Sequence, residues 1–237
     1  MIIDSHQHFW KYNPTRDAWI DDSMKVIQKD FLPKNLKPIL KNNNVDGCIA
    51  VQVDQSEEET KFLIECAADY PFIKGIVGWG NLKAENVEER LAFFTKNKLL
   101  KGIRHIVQAE KDDFVLQKDF QNGISKLAQF NLVYNVLITP NQIDNVIVLV
   151  DKFPNQKIVT DHLAKPFIKD EKIEDWKKSI IALDKAQNVF CKISGMVTEA
   201  NLKNWKISDF TPYLDVVFNA FGVIIESCMV QIGQCVY

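Results

Sequence analysis

The sequence predicts an α/β fold, a (β/α)8 barrel of the TIM type, on three observations. Short β-rich runs alternate with amphipathic stretches from one end of the chain to the other. After the first, the runs start roughly 25 to 35 residues apart, the length of one βα unit. Runs such as "GCIAVQV" and "LVYNVLI" are apolar on both faces, as strands of a parallel sheet covered by helices must be. The competing arrangement, a doubly wound sheet, would carry a Gly-rich phosphate loop after its first strand, and none is present.

The strands are expected at Ile2–Asp4, Gly47–Val53, Ile73–Gly78, Gly102–Val107, Leu132–Ile138, Lys157–Asp161 and Val189–Ile193. Between them, Ser56 opens an S-x-x-E capping box with Glu59 ahead of "TKFLIECAADY". "NVEERLAFFTKN" repeats its apolar positions at helical spacing, and so does "NQIDNVIVLVDKF" behind Pro140 at the first helical position. "IEDWKKSIIALDKAQ" and "DFTPYLDVVFNAF" complete the helices. No Gly/Ser linker or composition break divides the 237 residues. One barrel is expected over residues 1–222, and residues 223–237, with two cysteines, no Lys or Arg and no helix pattern, stand apart as a tail.

Composition narrows the function classes. Hydrophobic residues at 46 % and charged residues at 25 % fit a globular core with a solvated surface. Lys+Arg 29 against Asp+Glu 31 leaves no broad basic field, which argues against nucleic acid and anionic membranes as partners. "MIIDSHQHFW" lacks the basic and apolar regions of a signal peptide, and no run reaches the length of a membrane span. The 5 cysteines are odd in number with no C-x-x-C pair, so a reducing cytoplasm is expected. Cys48 and Cys191 fall in strand-like runs, where a buried thiol acts as a small hydrophobe.

In such a barrel the functional side chains project from the carboxyl ends of the strands. All 4 histidines obey this: His6 and His8 follow the first strand, His105 ends the fourth and His162 the sixth. A lone strand-end histidine is usually structural; all of them on one rim reverses that expectation. His6 and His8, two apart in an extended segment, project from one face and can chelate a divalent ion. Neutral imidazole nitrogen suits Zn²⁺.

"DSHQHFW", "GIRHIVQ" and "DHLAKP", in that order, resemble the amidohydrolase superfamily and, more narrowly, its sugar-lactonase branch, which includes L-fuconolactone and L-rhamnonolactone hydrolases. The resemblance covers the chain up to Gly222. It implies His6 and His8 as first-strand metal ligands, and His162 as a further ligand or as positioner of the attacking water. It implies Arg104 and His105 as a fourth-strand pair that binds or polarises a substrate carbonyl or carboxylate, and Lys165 as holder of a substrate oxygen. His105 and His162 thus take the catalytic roles. Gln52 and Trp79, at strand ends, either touch a sugar ring or pack at the rim. Asp4 and Asp161 either orient the imidazoles or end strands, and Lys192 and Ser194 read as interior packing and loop polarity. The fifth strand, "LVYNVLITP", lacks the histidine of many amidohydrolases, which speaks against a two-metal site. The implied cofactor is one divalent metal, zinc foremost, although some branch members work without one.

The implied reaction is hydrolysis of a sugar-derived lactone to its aldonic acid. A metal or cationic side chain polarises the carbonyl, and a carboxylate takes the proton of the attacking water. The implied partner is a small molecule; the sequence assigns no oligomeric state. Two alternatives stand beside this: a metal-dependent decarboxylase of a small carboxylic acid, and an inactive, truncated family member.

The resemblance implies an eighth strand that ends in an Asp, the base, within a segment like G-S-D-W-P. Phe221–Gly222 arrives on cue, but "VIIESCMVQIGQCVY" follows, and no Asp occurs after Asp215. One set of synonymous codons for Ile225 to Val236, read from the last base of the first codon, spells RIMYGSDWPVC. A frameshift near Val223 is therefore expected, replacing the eighth strand with its Asp and removing the final helix; the competing reading is a divergent strand with Glu226 or no acid.

Overall fold

Among the described residues seven parallel strands form one sheet in simple sequence order. They are β1 (Ile3–Gln7), β2 (Gly47–Val51), β3 (Ile73–Gly78), β4 (Leu100–Ile106), β5 (Val133–Leu137), β6 (Ile158–Thr160) and β7 (Val189–Cys191). Neighbours in sequence being neighbours in space is the barrel order, and every expected strand is present. The computed structural model describes residues 1–222. The expected altered eighth strand, the missing final helix and the boundary before residue 223 lie outside the described residues.

The helices alternate with the strands: α1 (Pro33–Asn42), α2 (Glu57–Asp69), α3 (Val87–Phe94), α4 (Lys118–Leu127), α5 (Ile143–Lys152), α6 (Glu174–Asp184) and α7 (Ile207–Phe221). Each presents an apolar stripe to the sheet. Leu36, Leu63, Leu91, Ile124, Val146 and Ile180 are all buried against it. The predicted cap of α2 is half right. Ser56 Oγ accepts from Glu59 N at 3.2 Å, but the Glu59 carboxylate reaches past Ser56 to accept from Val53 N at 3.1 Å.

α1 and α4 escape the periodicity reading. α1 contains Pro38 in its interior, and α4 contains Gly123, both helix-weakening residues. Gly123 is there because α4 runs against the β3–α3 loop, where a Cβ would collide with the Leu82 carbonyl oxygen. A second unpredicted feature follows β1. Residues 8–32 leave the barrel and return, closed by paired bonds between Trp10 and Phe31 at 2.9 Å in each direction.

The register of the strands brings their carboxyl ends to one rim: Arg104 pairs with Asn135, Asn135 with Val159, and Thr160 with Cys191. Among the described residues no helix is long and apolar enough to cross a membrane. Cys48, Cys66 and Cys191 are free thiols, and burial pushes Cys48 and Cys191 up to about 12.

Candidate active site at the carboxyl ends of the strands

Three imidazoles meet at this rim. His6, next to last in β1, has its side chain buried inside the barrel, and its Nε2 lies 3.1 Å from Nε2 of His8. The His6 and His162 rings are 4.4 Å apart between centroids. Each ring has its Nδ1 engaged by the protein. His8 Nδ1 donates to the Val51 carbonyl at 2.8 Å, His162 Nδ1 meets Ser194 Oγ at 2.7 Å, and His6 Nδ1 lies 3.3 Å from Lys192 Nζ. Such partners fix ring orientation and tautomer.

Burial holds all three imidazoles neutral. It depresses His8 to about 3, with Arg104 adding to the effect, and His162 to about 4 against the opposing pull of Asp161. His6 is held well below its ordinary value, by burial first and then by Lys192.

Asp161, at the end of β6, sits in the middle and is wholly buried. Its Oδ1 accepts from Lys192 Nζ at 2.9 Å and from Asn135 Nδ2 at 3.4 Å, and its Oδ2 from Arg104 at 3.3 Å. Burial alone would raise its pKa; the two cations outweigh burial and hold it far below the usual carboxylate range. Arg104 also donates to the backbone and side-chain oxygens of Gln52, whose amide in turn donates to the Arg104 carbonyl at 3.3 Å.

The turn after β6 is left-handed for four residues in succession. His162, Leu163, Ala164 and Lys165 have φ of 54, 55, 55 and 51°. Non-glycine residues pay for that conformation, and a run of them marks a turn held by its surroundings. Here the holding contacts are Ser194 on His162 and Trp176 Nε1, which donates to the Leu163 carbonyl at 2.8 Å. The effect is to aim both His162 and Lys165 into one cavity.

That cavity, of about 410 Å³, is lined by His6, His8, Arg104, His162 and Lys165 among the expected site residues. Lys165 Nζ pairs there with Glu199 at 3.0 Å. The excursion after β1 supplies Trp10, the last residue of the DSHQHFW motif, to the wall, together with Asp17, Trp19, Ile20 and Ile27, which no sequence motif singled out. Gln52 and Trp79 are not in the lining. Gln52 is buried beside Arg104, and Trp79 has backbone N and O both bonded to Thr60 Oγ1, at 2.7 and 2.8 Å.

His105 departs from its expected place. Consecutive strand residues face opposite sides, so with Arg104 turned into the barrel His105 turns out toward the helices. Its ring stacks on Phe114 at 4.8 Å and its Nε2 meets Glu110 at 3.2 Å. It does not line the cavity. Lys192 and Ser194, read as interior packing and loop polarity, are both buried and in addition hold His6 and His162 respectively. Their spacing was the available signal: two residues apart after a strand, they share a face.

The donor set fits one divalent ion. Two imidazole nitrogens on a tetrahedral zinc lie about 3.4 Å apart, given bonds of ~2.1 Å, and the 3.1 Å between His6 and His8 is close to it. His6, Asp161 and His162 also place one ligand atom each within 4.8 Å of one another. The imidazoles are the better donors, because both oxygens of Asp161 already serve Lys192 and Arg104.

Neutral nitrogens that can hold an ion or a water, beside cations that can draw electrons from a carbonyl, equip a parallel barrel for hydrolysis. Known proteins agree. Residues 3–223 match the amidohydrolase family profile, and the chain belongs to that family. It is 35% identical to an L-fucono-1,5-lactonase of Burkholderia multivorans, over 93% of this chain and 78% of that protein. It is 30% identical to an L-fucono-1,5-lactonase of Burkholderia ambifaria, over 93% and 76%. A crystal structure of an amidohydrolase from Burkholderia multivorans with bound zinc superposes with a TM-score of 0.89 at 35% identity, covering 94% of this chain and 81% of that one.

Proposed function

We propose that the protein hydrolyses a sugar-derived lactone of the aldonolactone type, opening the ring ester to an aldonic acid. The observation that carries this reading is the shared cavity of His6, His8, His162, Arg104 and Lys165, in a chain 35% identical to an L-fucono-1,5-lactonase. Arg104 and Lys165 supply positive charge for the lactone carbonyl oxygen as it becomes an oxyanion. His162, its Nδ1 committed to Ser194, has Nε2 left to hold the attacking water or a metal. A zinc ion held by His6, His8 and His162 would supply Lewis-acid polarisation at the same place. Gln52 supports the reaction from behind by fixing Arg104, and His105 has no contact with the cavity in this reading.

The proton-accepting Asp implied by the family resemblance has no counterpart after Asp215 in this sequence, so activity is expected to be weak. The experiment is proton release from aldono-1,5-lactones by the purified chain, with and without added zinc. It is run beside a chain whose frame is restored after Phe221, and beside a CO₂-release assay on small aromatic acids. Lactone turnover that rises in the restored chain is the expected result. CO₂ release without lactone turnover overturns the reading; strong turnover by the chain as given overturns the impairment. Sequencing the gene across the codons for Phe221 to Ile225 tests the frameshift itself, which an unbroken frame would exclude.

A further inference from the structure

We propose that Lys192 is the resident cation of the site: it holds Asp161 and His6 in place and, by doing so, keeps the affinity for a divalent metal low. The inference rests on the reading that the three imidazoles can hold such an ion. Lys192 follows β7, and its side chain is 4% exposed. A buried ammonium needs partners for its donors, and this one finds two within the barrel. They are Asp161 Oδ1 at 2.9 Å and His6 Nδ1 at 3.3 Å.

Both contacts oppose a metal. An ammonium has donors and no acceptor, so Nδ1 of His6 accepts from Lys192 and the ring proton sits on Nε2. That proton points to Nε2 of His8, which is an acceptor because Nδ1 of His8 donates to the Val51 carbonyl. The chain of bonds therefore runs Lys192 to His6 to His8 to Val51, and it ties up two nitrogens that an ion would use. The second contact concerns Asp161. With Arg104 on one oxygen and Lys192 on the other, the carboxylate cannot reach an ion without giving up a charge-assisted bond. Any ion it met would also lie beside the ammonium.

Without Lys192 the same atoms favour a metal. His6 Nδ1 is 3.7 Å from Asp161 Oδ1. Once the ammonium is gone, Nδ1 can donate to that oxygen and free Nε2 as a ligand, the carboxylate–histidine–metal arrangement. The positive charge nearest His6 is removed as well.

The test is zinc titration of the metal-stripped full chain against a chromophoric chelator, with circular dichroism and melting temperature as the check on folding. Lys192→Met is expected to bind zinc at least tenfold more tightly than the parent chain. Lys192→Arg is expected to stay within threefold of it, and Lys192→Met combined with Asp161→Asn to lose the gain. Should Lys192→Met not fold, Lys192→Gln keeps a donor to Asp161 without the charge and is expected to bind more tightly too. Equal or weaker zinc binding by the folded variant overturns the inference and leaves the metal reading intact. Zinc binding by no form of the chain overturns both. Tight binding that appears only when Lys192 is replaced is its strongest support.

Discussion

Gly195 lies against the His162 ring so closely that a Cβ built on it would be 2.6 Å from Nδ1 and 2.8 Å from Cγ. Its φ of +64° is a second reason for glycine at this position. Gly195→Ala must therefore push the imidazole off Ser194, and costs about 1–3 kcal/mol through the backbone as well. We expect lactone turnover and zinc affinity to fall ten- to a hundredfold, the range for disturbing a group that orients a metal ligand. Ser194→Ala removes the 2.7 Å bond to Nδ1 without the collision, and the smaller loss of the two is expected there. Parallel assays and thermal melts of the two variants check this; Gly195→Ala within twofold of the parent in both functions would show that the glycine does not set the ring.

Asp161 is the hub of the interior charges, with Arg104 and Lys192 on its two oxygens. Removing it leaves two buried cations without their counter-ion. Breaking a buried pair in this way costs about 3–5 kcal/mol. Asp161→Ala should shift the urea midpoint accordingly, and Asp161→Asn, which keeps an acceptor, by less. A shift under about 1 kcal/mol for the alanine would mean that Arg104 and Lys192 find other partners.

Much of this arrangement is legible in the sequence because it follows from period and position. Apolar runs at βα spacing point to each of the seven strands among the described residues, and histidines at strand ends to three of the residues that line the cavity. Gly123 and Pro38 hid two helices because each answers a tertiary demand or tolerance that a propensity reading counts only as a penalty. The part of the wall made by Asp17, Trp19, Ile20 and Ile27 stayed invisible because nothing after the DSHQHFW motif shows where an irregular excursion will return. Lys192 does lie in the barrel interior as read, but its part as an ion-pair partner was not legible, because a lysine there is exceptional until Asp161 is known to face it.

His105 is where motif and strand geometry part company. Stacked on Phe114 and edge-on to Phe120 at 5.4 Å, it serves the layer between sheet and helices. His105→Phe is expected to keep kcat and KM for a lactone within about threefold, since a flat apolar ring suits that position. His162→Phe in the same assay should abolish turnover. A loss at His105 comparable to the loss at His162, in a variant that melts normally, would restore the catalytic role suggested by its motif.

Glu59 makes stability pH-dependent in a direction opposite to most carboxylates. It is 5% exposed, and burial raises its pKa to about 7, although the Val53 N–H and Arg16 favour the ionised form. Below the ordinary range of a glutamic acid, folded and unfolded chains both hold the proton and Glu59 has no effect. As pH rises from about 4.5 to 7 the unfolded chain loses its proton first, so the native state loses ground, by roughly 3 kcal/mol when the change is complete. Glu59→Gln keeps an oxygen for Val53 N–H and a residue suited to the third helical position, and removes the titration. Urea unfolding at intervals from pH 5 to pH 8 should find the variant more stable than the parent by a margin that widens across that window. A constant margin would mean that Glu59 ionises in the folded protein as it does in the open chain.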